Sequence, residues 1–307
     1  MIIHKGYDGL SFRSPVVTMG IFDGVHRGHV TTLNALIDKA KKSEGESVVV
    51  TFIYPKSQNH RRNYCLTAQD EKREILCKAG INHLIEIEFD EEFKKMRAVD
   101  FIKDILSDKI GAKHIITGYD QSFGCGGEGN FETLRRYSAA LGFTVEQLPE
   151  LKPEGDKVSS SAIRQALLAG DLDSANRLLG YDYTVTGTVI EGKKIGRTIG
   201  FPTANILPDI DKLIPAVGVY AVETNTKFGR FAGMLNIGVN PTIDAANAKA
   251  SIEVNIINFD KDIYNETISV ILRKRLRDEK RFENIESLAA QMQLDREETI
   301  RSLRNIF

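Results

Sequence analysis

Two histidines three residues apart, His26 and His29, stand in the run Gly20-Ile21-Phe22-Asp23-Gly24-Val25-His26-Arg27-Gly28-His29. A short apolar run, Val16–Met19, precedes it, and apolar residues at Val30, Leu33, Ile37 and Ala40 follow at helical spacing. The histidines therefore flank a helix N-terminus, where free amides and the helix dipole favour anions. Two imidazoles add donors at that place, and Gly28 offers close approach to the backbone. A capping loop with two surface histidines would carry the same spacing. A second candidate is Val158-Ser159-Ser160-Ser161-Ala162-Ile163-Arg164, where Ser160 and Ser161 can cap a helix and Arg164 presents a fork of donors. A third is Gly196-Arg197-Thr198-Ile199-Gly200-Phe201-Pro202-Thr203-Ala204-Asn205. In an extended segment Thr203 and Asn205 share a face, and their neutral oxygens suit a Mg²⁺ ion that takes most of its ligands from phosphates and water. Further on, alternation along Ser251–Phe259 separates Glu253 and Asn255 from Ile252, Val254 and Ile256. No GxxxxGK[ST] loop is present. Taken one by one, these are also an N-capped helix, a glycine-rich turn and a solvated glutamate.

The elements that hold these residues fall into two kinds. Up to about Gly142, short Val- and Ile-rich runs (Val16–Met19, Ser47–Ile53, His83–Phe89, His114–Thr117, Phe143–Leu148) alternate with helical patterns (Val30–Lys42, Gln69–Ala79, Val99–Lys109, Phe131–Leu141). Such alternation predicts an α/β doubly wound parallel sheet, whose ligands bind beyond the carboxyl ends of the strands. The loops at residues 20–28 and 118–130 lie there. Two helices follow, Ser160–Ala169 and Asp171–Leu179, each closed by a glycine, Gly170 and Gly180. The character then changes. Tyr183–Ile190, Gly218–Glu223, Phe231–Ile237, Ser251–Phe259 and Thr267–Leu272 are strand-like with no helix between them. That predicts an antiparallel β-barrel, followed by a terminal helix over about 285–305. The boundary is expected near Gly180–Tyr183, giving domains of residues 1–181 and 182–307.

The length of 307 residues suits two domains. With 41 basic and 42 acidic residues the net charge is −1, and neither half has a basic excess: 24 against 25 up to Gly180, 17 against 17 beyond it. A general nucleic-acid binder is not expected. No apolar run reaches membrane-spanning length, and the opening MIIHKGYDGL lacks the pattern of a secretory signal. Three scattered cysteines, Cys65, Cys77 and Cys125, fit a reducing, cytoplasmic setting. All six histidines lie at or before His114, so chemistry in the second domain must proceed without one.

In combination the motifs acquire a resemblance. The HxGH element at His26–His29 after GxFDGVH is similar to the nucleotidyltransferase superfamily that activates small phosphates with ATP. Residues 158–164 resemble its ISSTxIR segment. Gly118-Tyr119-Asp120-Gln121-Ser122-Phe123-Gly124 resembles the GxDFxFG loop of its flavin-adenylating branch. The GRTIGFPTAN stretch resembles the riboflavin kinase domain, together with Asn236-Ile237-Gly238-Val239-Asn240-Pro241-Thr242, Ser251–Val254, Asp262-Ile263-Tyr264 and Leu276–Phe282. Nearly the whole chain is thereby similar to the bifunctional bacterial riboflavin kinase/FAD synthetase family.

That resemblance implies two ATP-dependent steps: riboflavin to FMN with ADP in the second domain, and FMN to FAD with pyrophosphate in the first. It implies nucleotide and phosphate contacts at Gly20, Phe22, Asp23, Gly28, Ser160, Ser161 and Arg164, and at Gly192, Arg197, Gly200, Thr203 and Asn205. Flavin contacts fall to Asp120, Phe123 and Arg277, and Mg²⁺ to Thr203 and Asn205. His26, His29 and Arg164 would stabilise charge on the leaving polyphosphate, and Glu253 would be the base for the ribityl hydroxyl. Flavins are then substrates and products; neither a membrane nor an oligomer is implied. Three positions depart from the family pattern: Ile21 replaces a usual Asn, Thr51-Phe52-Ile53-Tyr54-Pro55-Lys56 lacks the His of TFxPHP, and Asn255 replaces a usual His. The alternatives are a riboflavin kinase with a weak or inactive adenylyltransferase domain, and a flavin carrier or sensor without turnover.

Overall fold

A computed structural model describes residues 1–54, 64–151, 158–192, 195–239 and 250–304. By its contacts the chain divides into two compact units, one of residues 1–61 and 69–159, the other of residues 62–68 and 160–307.

The first unit is a six-stranded parallel sheet in the order β1-β4-β3-β2-β5-β6. Its strands are β1 (Ile2–Lys5), β2 (Val16–Met19), β3 (Ser47–Ile53), β4 (His83–Glu88), β5 (His114–Thr117) and β6 (Thr144–Gln147). Helices α1 (Arg27–Lys42), α2 (Gln69–Lys78), α3 (Ala98–Asp100) and α4 (Phe131–Leu141) connect them; α3 runs on as π-helix over Phe101–Lys109. The continuous apolar runs are explained by burial on both faces. Val48 and Val50 of β3 face one core with Ile85 and Phe101, while Val49 faces the other with Leu33 and Leu84. Strand β1 is an addition to the five strands expected: its residues are largely exposed, as suits an edge strand paired only to β4. The chain order reverses between β2 and β5, so the carboxyl ends of those two strands form the switch point.

The second unit is the expected barrel. Its closed order is β10-β11-β8-β7-β12-β9, all antiparallel. The strands are β7 (Thr184–Ile190), β8 (Ala204–Pro208), β9 (Gly218–Thr226), β10 (Gly229–Val239), β11 (Ala250–Ile256) and β12 (Thr267–Arg277). β8 adds a sixth strand to the five expected and closes the ring. The helices are α5 (Ser160–Ala169), α6 (Leu172–Leu179), the single turn α7 (Ile195–Thr198) and the terminal α8 (Ile285–Ser302). Gly180 caps α6 in the left-handed region, φ 85, and its N–H donates to the Asn176 carbonyl. Contacts place α5 and α6 with the barrel. The Asn176 amide donates to Asp182 and to the Leu272 carbonyl and accepts from the Tyr183 N–H. All three cysteines are free. The described residues hold no helix long and apolar enough to cross a membrane.

Candidate active sites

At the switch point, Gly20 leaves β2 with its N–H on the Val50 carbonyl at 2.9 Å. The turn that follows is unusual for its residue types: Phe22 at φ 51 and Val25 at φ 34 both lie in the left-handed region, which a β-branched residue rarely enters. Both side chains are buried in the core between α1 and the sheet. His26 is the N-cap of α1, and its Nδ1 accepts the His29 N–H at 3.4 Å. The His26 and His29 rings stack, centroids 3.7 Å apart at 13°, and Phe22 stands 5.1 Å from His29. A Cβ at Gly28 would come within 3.3 Å of the His26 ring. Glycine there makes room for the imidazole, a more local reason than approach by a phosphate.

Of the two, His29 is the neutral one. Burial holds the His29 imidazole well below its ordinary value, helped by His26 and by Lys72. His29 Nδ1 is buried with no hydrogen-bond partner among the described residues. A buried polar atom left in this condition is costly, and an anionic ligand at the helix N-terminus would relieve it. Asp23 is buried. From the loop after β5, Gln121 donates to the Met19 carbonyl and accepts from the Gly118 N–H, tying together the two strand ends at the switch point. Asp120 is exposed, whereas Phe123 is buried against Phe101, ring centroids 5.7 Å apart. The Pro55–Lys56 position of the TFxPHP comparison lies outside the described residues.

Ser160, Ser161 and Arg164 open α5, in the second unit. Arg164 Nε donates to the Tyr64 carbonyl at 2.9 Å, and its guanidinium lies 3.8 Å from the Tyr64 ring centre.

The barrel brings the second set together across strands. Asn205 of β8 is registered opposite Glu253 of β11, which is opposite Asn236 of β10. Directly opposed residues project to one face, so three polar side chains from distant parts of the chain line up. Both carboxylate oxygens of Glu253 are engaged: Thr203 Oγ1 donates to Oε2 at 3.2 Å and Ser251 Oγ donates to Oε1 at 3.0 Å. Asn255, the residue at the departure from the usual His, is buried and donates to the Pro202 carbonyl at 2.7 Å. It therefore anchors the segment that carries Thr203. The glycines serve this segment too. A Cβ at Gly192 would fall 1.9 Å from the Asn205 amide nitrogen, and one at Gly196 would fall 2.2 Å from the Phe201 carbonyl oxygen. Gly200 needs φ 81. Thr203 also lines a cavity of about 300 Å³ with Arg197, Val189, Val254, Phe259 and Tyr264. Arg277 is held elsewhere, in a two-pronged ion pair with Asp295 of α8 at 2.7 Å. Asn240, Pro241 and Thr242 lie outside the described residues.

Sequence reasoning passed over Ser251 and Lys72. Ser251 had a signal, since it stands two residues before Glu253 on one strand and so shares its face. Lys72 had none, because a lysine on a polar helix reads as solvated.

These geometries define a transferase class. A stacked histidine pair stands at a helix N-terminus at the switch point of a doubly wound sheet, and a carboxylate held by hydroxyls stands beside a cavity in a closed barrel. Comparison with known proteins agrees. The FAD synthetase family model matches residues 11–162 and the riboflavin kinase family model matches residues 179–303. The bifunctional riboflavin kinase/FMN adenylyltransferase of Listeria monocytogenes is 37% identical over 292 residues, 92% of this chain and 91% of that protein. The Escherichia coli K12 protein of the same name is 35% identical over 287 residues, 91% of this chain and 90% of that protein. A crystal structure described as a macrolide-efflux protein from Streptococcus pneumoniae is 31% identical with a TM-score of 0.87, covering 97% of this chain and 99% of that one. The chain belongs to the bifunctional riboflavin kinase/FMN adenylyltransferase family.

Proposed function

We propose that this chain phosphorylates riboflavin to FMN in its barrel and adenylylates FMN to FAD in its sheet domain, with a functional boundary at residues 181/182. The observation that carries the kinase half is the Glu253 carboxylate, oriented by two hydroxyls beside the cavity. An alkyl hydroxyl is a weak nucleophile, and a fixed carboxylate accepts its proton as the new P–O bond forms. ATP would occupy the cavity that Arg197 and Thr203 line, with Gly192 and Gly200 as proposed phosphate contacts on the family resemblance.

Mg²⁺ fits the oxygens present. Thr203 and Asn205 offer hard donors beside the Glu253 carboxylate on one side of the barrel, and the described residues hold no group of three or more His, Cys, Asp or Glu able to hold a metal by themselves. Such a site suits an ion that arrives with the nucleotide and keeps phosphate and water ligands. When bound it would offset charge on the transferred phosphoryl group.

In the sheet domain the FMN phosphate attacks the α-phosphorus of ATP, and pyrophosphate leaves. His26 and His29, at the N-terminus of α1, donate to the departing charge; Ser160, Ser161 and Arg164 are proposed phosphate ligands on the family resemblance. The neutral, unpartnered Nδ1 of His29 supports this. Asp120 and Arg277 are proposed flavin contacts on the same resemblance. Phe123, buried on Phe101, would shape the flavin pocket from behind. Three free cysteines support a reducing, cytoplasmic location.

Incubation with riboflavin, ATP and Mg²⁺ followed by separation of the flavins tests the whole reading. FAD is the expected product. FMN alone would leave a kinase with an idle first domain, and unchanged riboflavin would leave a flavin binder.

A further inference from the structure

Lys72 is 5% exposed and belongs to neither proposed ligand set. From α2 its Nζ donates to the Ile21 carbonyl at 2.8 Å and stands 3.5 Å from Thr51 Oγ1. Thr51, fully buried on β3, donates to the same carbonyl at 3.3 Å. Burying an ammonium is costly, and an apolar side chain would cover the same space without that cost. Its bond to the Ile21 carbonyl gives the cation a structural task. The peptide it grips enters the turn in which Phe22 and Val25 adopt left-handed conformations, and strain of that kind persists only when the surroundings fix it.

We propose that Lys72 is a positioning residue for adenylyl transfer: it pins the Ile21 carbonyl and thereby fixes the Phe22–Val25 turn that leads into His26. In a trans peptide the C=O and the following N–H point opposite ways. With the Ile21 carbonyl drawn toward α2 and β3, the Phe22 N–H is directed to the other side of the loop. An amide fixed in direction is a preorganised donor for an anion. The inference rests on the adenylyltransferase reading above.

The test uses the full chain with Lys72→Met and Thr51→Val, singly and together. FAD formation from FMN and ATP is measured beside FMN formation from riboflavin and ATP in one preparation. Lys72→Met is expected to lower kcat for FAD by roughly 10- to 100-fold, the usual loss when a supporting partner is removed. KM for FMN and the kinase rate should stay near wild type. Thr51→Val should lose less, and the double variant should lose less than the product of the two, because both donors act on one carbonyl. Lys72→Arg should recover part of kcat. A Lys72→Met enzyme with a wild-type FAD rate overturns the proposal. So do losses that simply multiply, or a fall in kinase rate that parallels the fall in FAD. If the wild-type chain makes no FAD from supplied FMN, the adenylyltransferase reading itself has failed and the role of Lys72 falls with it.

Discussion

The two candidate sites handle the same co-substrate with different side chains, and the proposed nucleophiles explain why. In the sheet domain the attacking group is a phosphate, already ionised near neutrality. It needs no base, and the site supplies a helix N-terminus, stacked imidazoles and a buried ammonium behind the loop. In the barrel the attacking group is an alcohol, and the site supplies a carboxylate. The architectures differ in step. The histidine pair comes from one contiguous loop, the turn between β2 and α1 at the switch point. The carboxylate site is assembled from β8, β10 and β11, because antiparallel pairing sets distant residues side by side.

The largest separation should come from Glu253→Gln, which keeps size and most contacts but removes the base. General-base removal typically costs about 10²–10⁴-fold, and the loss should fall in kcat, since the proton moves only as the transition state forms. FAD formation from supplied FMN should be untouched. Thr203→Ala should differ by weakening the grip on Mg-ATP, so that excess Mg²⁺ and ATP partly restore it. Restoration of Glu253→Gln by the same excess would assign Glu253 to binding. In the other domain, His29→Ala should lower FAD formation by about 10²–10³-fold, as loss of one preorganised donor does. FMN formation should be spared. A parallel loss of both products would erase the contrast between the sites.

Much of this was legible in the residues. Val48-Val49-Val50 and its neighbours are apolar on both faces because both faces are buried, and helical patterns alternating with such runs indicated a parallel sheet. The placement of His26 and His29 at a helix N-terminus was readable from the helical spacing that follows them; the stacking of their rings was not. What escaped was set by tertiary pairing. β1 is an exposed edge strand with little apolar signal, and β8 is recognisable only once β7 and β11 flank it. Arg277 carries no sign in its own neighbourhood that Asp295, 18 residues on, will bind it. Asn255 was visible as a departure from the family, but its bond to the Pro202 carbonyl depends on how the preceding segment folds back.

Ser251 offers a smaller and sharper test of the barrel. Its hydroxyl bonds one Glu253 oxygen while Thr203 bonds the other. If Thr203 turns to Mg-ATP when substrate arrives, Ser251 alone continues to orient the carboxylate. A hydrogen bond to a charged group contributes about 1.5–3 kcal/mol, so Ser251→Ala should lower kcat for FMN by tenfold or somewhat more, with little change in KM for riboflavin. Ser251→Thr, which keeps the hydroxyl, should recover most of it. A change confined to KM would show that Ser251 serves binding instead.

The smallest expected effect is on stability, and it again divides the two domains. Burial holds His29 well below the ordinary value of 6.5, with His26 and Lys72 adding to it. Burial lowers His4 as well, with His83 beside it, and burial and then Lys39 lower His114. Below about pH 6.5 the unfolded first domain binds protons that the folded one refuses, so its stability falls as pH falls through that range. The barrel has no histidine to do this. Its lowered carboxylates, Asp171 bonded to Ser174 and Glu298 bonded to Lys274, give up their contribution only as pH falls through the carboxylate range. Calorimetry at pH 7.5 and 5.5 should therefore show the transition that abolishes FAD formation moving down by about 2–4 °C for each kcal/mol lost. The transition that abolishes FMN formation should stay in place. Equal shifts of both transitions would mean that the histidines do not set the acid response, and that the two domains unfold as one.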